Sequence, residues 1–265
     1  MSINWYPGHM AKTRNQHQSM LNKIDVILWM VDARAPFSTL DPTLQKTFNN
    51  KPFLVVINKK DLVKASYLDQ VKSRLAESQL PSVIISAKKE KDIKALIQVA
   101  KSMQSSRRKI GGLRLSVLGI PNTGKSTLIN KIAQKKTQPV ANTPGITKAL
   151  RWVETPEVSV LDTPGVLWPK IEDPQVGLKM AILGSIKDTI IPYAQALDFL
   201  MDRLMTHPES KLSSMYPDLS APDILEKIAW DEGFKTEHHY DEMALSQSLL
   251  KRYRAGAFGK VPLDD

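Results

Sequence analysis

Residues 119–126 read Gly-Ile-Pro-Asn-Thr-Gly-Lys-Ser, and this G-x4-G-K-S pattern decides the fold. It follows an apolar run at 113–118 and opens a helix-forming stretch from Lys125, the strand–loop–helix setting in which the pattern cradles phosphate. Gly119 and Gly124 let the backbone wrap until its N–H groups face one anion, and the helix start adds the positive end of its dipole. Lys125 is placed to reach the β- and γ-phosphates and Ser126 to ligate Mg2+. Asn122, Thr123 and Thr127 complete the expected lining.

Downstream, an apolar strand ends in Asp162-Thr163-Pro164-Gly165. Asp162 is suited to hold Mg2+ through water, and the Gly165 N–H to sense the γ-phosphate. Between the two motifs lies Asn-Thr-Pro-Gly-Ile-Thr, 142–147. A hydroxyl from such a segment completes the Mg2+ shell when the γ-phosphate is present; Thr147 is the expected donor and Thr143 the alternative.

Upstream, Asn58-Lys59-Lys60-Asp61 follows an apolar run at 53–57, and Ser86-Ala87-Lys88 follows another at 83–85. The Asp61 carboxylate can accept from the ring N–H and the exocyclic amine of guanine, a pair that adenine does not offer, and a buried site discriminates strongly on such a match. Asn58 can bridge to the base edge and the phosphate loop, Lys59 can lay its stem over the ring, and the 86–88 loop can present a backbone N–H to the guanine oxygen. Together these point to GTP and GDP as ligands.

Strand patterns at 24–32, 53–57, 83–85, 113–118, 148–154 and 157–161 alternate with helical spacing at 66–79 and 90–103 and from Lys125. That alternation predicts an α/β fold with a mostly parallel sheet covered on both faces. After Pro174, helical spacing recurs at 175–185, 193–205, 221–230 and 242–254. The expectation is a GTPase domain with a basic N-terminal arm over 1–174 and a smaller all-α domain over 175–265. Apolar residues make up 42% of the 265 and charged ones 24%, a globular balance. Cysteine is absent, which excludes a disulfide framework and a thiolate metal site. The apolar run at 26–31 is too short to span a bilayer, no apolar leader core precedes it, and the chain reads as cytoplasmic.

The net charge is +10, unevenly placed: residues 1–175 carry 27 Lys and Arg against 13 Asp and Glu, residues 176–265 carry 10 against 14. A nucleotide needs few cations, so the excess suggests a larger polyanion, with nucleic acid the usual one. Candidate contacts are Lys12 and Arg14, Arg107 to Lys109, and Lys251, Arg252 and Arg254; each cluster taken singly also fits a solvated face. Tyr253 and Trp152 read as packing residues rather than base-stacking ones.

The motifs occur in the order NKKD, SAK, phosphate loop, Thr147, DTPG, whereas small GTP-binding proteins run from the phosphate loop to SAK. A circular permutation preserves the packed sheet where the old termini lie close, with the joint at the basic linker 105–112. With the N-terminal WYPGHMAK (5–12), DTPGVLWPK (162–170) and the closing GAFGKVPLDD, the chain resembles the ribosome biogenesis GTPase A family over essentially its whole length. The resemblance implies a GTP hydrolase in maturation of the large (50S) ribosomal subunit, partnered by rRNA and ribosomal proteins, with neither DNA nor membrane expected. It also implies His9 as the group that holds the attacking water, since Val166 stands where many GTPases place Gln; the other readings are that His9 contacts RNA or fixes the arm, or that no side-chain base is used. By the same analogy Asn122 helps bind K+ beside the phosphates. Because the segment after DTPG runs straight into the helical domain, the γ-phosphate state is expected to reorient that domain. The competing readings are a GTP-gated RNA-binding module with negligible hydrolysis and a GTPase acting on another RNA particle.

Overall fold

A computed structural model of the chain describes residues 17–41, 45–48, 50–104, 112–134, 150–163, 171–234 and 240–265. Six strands, β1 (Val26–Asp32), β2 (Phe53–Asn58), β3 (Ser82–Ile84), β4 (Leu113–Leu118), β5 (Arg151–Glu154) and β6 (Val158–Asp162), form one sheet in the order β3-β2-β1-β4-β6-β5. Neighbours run parallel except β5, which pairs antiparallel with β6.

Every residue of β1 is buried, as a central parallel strand requires. Its side chains alternate between the faces: Val26, Leu28 and Met30 join one apolar cluster, while Ile27, Trp29 and Val31 join the other. Helix α1 (Ala65–Glu77) covers the second face through Leu68, Val71 and Leu75. Helices α2 (Glu90–Ser102) and α3 (Lys125–Ile132) cover the first, through Ile93, Leu96 and Ala100 and through Leu128 and Ile129. The apolar spacing read along the chain thus becomes the stripe that each helix buries.

Chain direction across the sheet reverses between β1 and β4. From β1 the chain steps outward to β2 and β3; from β4 it goes to the other side, first to the edge strand β5 and then back to β6. The carboxyl end of β4 lies against the middle of β1, with Trp29 opposite Leu118. Ligands of open α/β sheets collect at such a point, and the phosphate loop leaves β4 there.

From Pro174 onward the described structure is helical: α4 (Pro174–Ile182), α5 (Tyr193–Thr206), α6 (Lys211–Met215), α7 (Ala221–Asp231) and α8 (Glu242–Ala255). Helix α5 is the hub against which α4, α6, α7 and α8 pack. The helix ends follow from local chemistry. Asp173 caps α4 ahead of Pro174, Ser220 and Asp223 form a capping box on α7, and Asp241 accepts from the Ala244 N–H to start α8. Gly256, at φ 84°, ends α8 in the left-handed conformation that glycine takes without strain. The short α6 was not foreseen; its five residues bury only Leu212, so no period repeats.

This helical unit has its own apolar cluster, yet that cluster also takes in Ala35 and Ile120 from the sheet side. The C-terminal tail returns to the loop after β1: the Leu263 N–H donates to the Arg34 carbonyl at 2.6 Å, and Asp264 accepts from the Ser38 N–H at 2.8 Å and from Lys179 Nζ at 3.0 Å. Among the described residues no helix is long and apolar enough to cross a membrane.

Candidate nucleotide-binding site

The loop between β4 and α3 is bent by three residues with positive φ: Gly119 at 145°, Asn122 at 63° and Gly124 at 97°. The glycines are also needed for space. A Cβ on Gly119 would run into the Met30 carbonyl oxygen and one on Gly124 into the Asn58 amide. The sharp turn therefore rests on β1 and β2 neighbours as much as on its own sequence.

Asn58, at the end of β2, ties two loops together. Its Nδ2 donates to the Thr123 carbonyl at 2.8 Å, and its Oδ1 accepts from the Ala87 N–H at 2.9 Å. One buried amide thus spans the phosphate loop and the 86–88 loop. From sequence Asn58 is expected to reach the phosphate loop and the base edge; the structure adds the 86–88 loop as a partner. It also means that the Ala87 N–H, a candidate donor to guanine, is engaged inside the protein. The physical reason is burial: an amide at 2% exposure must find partners for both ends, and the two loops supply them.

Lys59 sits in the left-handed conformation at φ 67°. Its Nζ donates to Asp32 Oδ2 and to the Asn122 carbonyl, both at 2.7 Å. Asp32 in turn receives Arg34 in bidentate fashion, Nε at 3.0 Å and Nη2 at 2.9 Å. Burial alone would raise the Asp32 carboxyl, but Arg34 and Lys59 beside it hold it well below the ordinary carboxylate range. Burial lowers Lys59 from its usual value, with Asp32 pulling the other way.

Lys125, buried at the start of α3, donates from Nζ to the Ile120 carbonyl at 2.7 Å, so its ammonium is folded back over the loop that should hold phosphate. Burial brings it down to about 8, against the opposing charge of Asp162. Asp162, at the end of β6, is wholly buried, and among the described residues neither carboxylate oxygen has a hydrogen-bond partner. Burial pushes its carboxyl up to about 6, with Lys125 and Arg151 opposing. A buried carboxylate without partners is costly unless a cation joins it, and that is the donor chemistry Mg2+ takes. Ser126 lines the same cleft.

These residues surround a cleft of about 340 Å³. Asn58, Lys59, Asp61 and Leu62 form one wall, Ser86, Ala87 and Lys88 the rim, and Asn122 with Gly124 to Thr127 the floor. Thr123 is buried beneath, its hydroxyl bonded to the Ile120 carbonyl at 3.0 Å. The Ser86 N–H donates to Asp92 at 2.7 Å, which shapes the rim. Lys88 Nζ lies 3.8 Å from the Asp61 carboxylate. His9, Thr143, Thr147, Gly165 and Val166 lie outside the described residues, as do Lys12, Arg14, and Arg107 to Lys109.

The helical unit also enters the site, which the sequence did not signal. Arg254 and Ala255 line the cleft. Asn122 donates its amide N–H to the Gly184 carbonyl, and Ser185 Oγ donates to the Pro121 carbonyl at 2.8 Å. Of the basic trio expected to face RNA, Arg254 instead turns inward, donating to the Ile182 and Ala181 carbonyls at 2.8 Å each. Arg252 pairs with Glu232 at 2.6 Å, and Lys251 is exposed. Tyr253 is buried, with its hydroxyl on the Val261 carbonyl at 2.7 Å. The Asp32–Arg34 pair went unread as well. A charged pair closing a fully apolar strand was its one visible signal.

The profile of a family described as 50S ribosome-binding GTPase matches residues 114–221. A Bacillus cereus protein named Ribosome biogenesis GTPase A is 33% identical, the match covering 100% of this chain and 94% of that protein. The Priestia megaterium protein of the same name is 36% identical over 85% of this chain and 82% of its own. A mouse protein named Mitochondrial ribosome-associated GTPase 1 is 32% identical over 98% and 89%. Among solved structures, GNP-bound YlqF from T. maritima superposes with a TM-score of 0.71, covering 95% of this chain and 97% of that one at 21% identity. Fold and motif order together are those of a circularly permuted P-loop GTPase followed by a helical region.

Proposed function

Because this chain belongs to the ribosome biogenesis GTPase A family and is a GTP hydrolase, we propose that it acts in the cytoplasm in assembly of the large ribosomal subunit, with GTP or GDP bound in the cleft described above. One observation carries the nucleotide reading. The Asn58 amide draws together the phosphate loop and the 86–88 loop, so the base-reading Asp61 and the phosphate-binding Lys125 share one cleft. Residues 1–174 serve as the nucleotide domain and 175–265 as the part that works on the ribosomal particle.

In this reading Asp61 accepts from the guanine edge and the Lys59 stem lies along the ring. The Lys125 ammonium exchanges the Ile120 carbonyl for phosphate oxygens. That exchange is favourable because a buried cation gains a charged partner in place of a neutral one. Ser126 and Asp162, joined by Thr147, are the residues that hold Mg2+, which offsets phosphate charge when bound. Asn122, on the floor of the cleft, is assigned to K+. Gly165 senses the γ-phosphate and His9 holds the water that attacks it.

The basic excess of residues 1–175 supports rRNA as the polyanion that the particle presents. GTP hydrolysis measured in K+ and in Na+ buffer, with purified large or small subunits added, tests the proposal. Faster turnover in K+ and stimulation by the large subunit alone are expected. Failure of either particle to stimulate, together with GTP-dependent RNA binding, would replace it with the gated-module reading.

A further inference from the structure

We propose that Arg254, in the last turn of α8, is a nucleotide-binding residue that the helical unit contributes to the GTPase cleft, contacting the phosphate portion of the bound nucleotide. The inference rests on the guanine-nucleotide reading of that cleft.

Three observations place the side chain there. Arg254 lines the cleft together with Asn122 and Lys125. Its guanidinium is held by the carboxyl end of α4, Nε on the Ile182 carbonyl and Nη2 on the Ala181 carbonyl, each at 2.8 Å. Those two carbonyls stand at the negative end of a helix dipole, which orients the cation. Finally, Gly184 marks which end of the cleft the cation serves. A Cβ added there would lie 3.0 Å from Arg254 Cζ and 3.1 Å from Asn122 Nδ2. The guanidinium and the phosphate-loop amide thus flank one glycine, which puts the charge on the phosphate side rather than the base side.

The backbone under Arg254 is fixed as well. Arg34 Nη1 donates to the Tyr253 carbonyl at 3.2 Å and the Arg254 carbonyl at 3.3 Å. Arg34 is itself locked to Asp32, which also holds Lys59. One step further along the chain, a Cβ on Gly256 would come within 2.8 Å of Leu62, so the end of α8 packs tightly on the segment that follows Asp61. A cation positioned this rigidly loses little entropy when an anion arrives, and planar guanidinium suits phosphate oxygens.

The test compares Arg254→Gln and Arg254→Ala with the wild-type full chain, titrating GMP, GDP and GTP by displacement of a fluorescent GDP analogue. Thermal unfolding of the nucleotide-free proteins serves as the stability readout. Phosphate contact predicts roughly a tenfold loss for GDP and GTP, a loss for GMP several-fold smaller, and a shallower dependence of GDP affinity on salt in the Gln variant. Gln retains a donor for the α4 carbonyls, so a merely structural role predicts equal losses for all three nucleotides or none, and either result overturns the inference. Should the wild-type chain bind no guanine nucleotide, the reading of the cleft fails with it; wild-type binding with an unaltered Gln variant removes Arg254 alone.

Discussion

Arg34 and Asp32 stand two residues apart at the end of β1 and form a bidentate ion pair, each side chain only 2% exposed. The pair joins three parts of the protein. Asp32 also holds Lys59 of the loop after β2, and Arg34 reaches the last turn of α8. Nucleotide site and helical unit therefore share one buried cluster of charges.

Asp32→Asn should destabilise the protein by about 3–5 kcal/mol, because it leaves the buried Arg34 guanidinium beside a neutral amide and Lys59 without its carboxylate. Urea denaturation at pH 7.5 reads this directly. A loss under 1 kcal/mol would mean that the pair is more solvated than its burial indicates.

Asn58→Ala removes the single amide between the Thr123 carbonyl and the Ala87 N–H. Each orphaned group costs about 1–3 kcal/mol if no water replaces it, and GDP affinity should fall by at least about tenfold. Asn58→Asp should not rescue, since a carboxylate cannot donate to the Thr123 carbonyl. Calorimetric titration of both variants with GDP decides the point.

Asp162→Asn should separate stability from activity. The wild-type carboxyl is raised to about 6 by burial, above its unfolded value, so near pH 7.5 the folded protein carries an ionised group it would rather not bury. Without nucleotide and Mg2+, the Asn variant is expected to be more stable than the wild type by about 1–3 kcal/mol at that pH. The gap should narrow as pH falls through 6 and close below the unfolded value of 3.8, where the wild-type group is protonated in both states. Mg2+-dependent hydrolysis should be lost in the same variant. Equal stabilities at pH 7.5 would show that Asp162 finds a partner without the metal.

His17 gives the opposite dependence on pH. Its Nε2 pairs with Ser116 Oγ at 2.8 Å inside the sheet face, and burial lowers the ring to about 4. The fold requires the neutral form, so the unfolded chain binds more protons between about 6.5 and 4. Stability from this group is complete above 6.5 and declines as pH falls, by about 2 kcal/mol at pH 5. His17→Gln should lose most of that slope when thermal unfolding is compared at pH 7.5 and pH 5. An unchanged slope would assign the acid sensitivity to other groups.

Much of the fold was legible because its signals are local. The strands at 113–118 and 53–57 are apolar runs bounded by turn-forming motifs, and α1 and α2 show one apolar residue per helical turn. The phosphate loop was readable for the same reason: two glycines and a lysine at fixed spacing specify a backbone path within eight residues. α6 escaped because one buried leucine sets no period. The link from Asn58 to the Ala87 N–H was not legible, since what meets an amide at a strand end depends on which loop lies next door.

The sequence by itself determined the nucleotide chemistry and the permuted order of its motifs, because each motif acts through residues close together in the chain. The sheet order, and with it the reversal between β1 and β4, needed tertiary structure to bring Asp32 beside Lys59 and Gly119 beside Met30. The same holds for the entry of Arg254 into the cleft. That residue is 129 positions from Lys125, counted along the chain, and nothing in a basic turn of helix tells whether it faces solvent or a phosphate loop. Its direction was decided by packing: the apolar stripe of α8 is buried against α5, and the guanidinium points wherever the remaining face of the helix is left, here onto the α4 carbonyls at the edge of the nucleotide site.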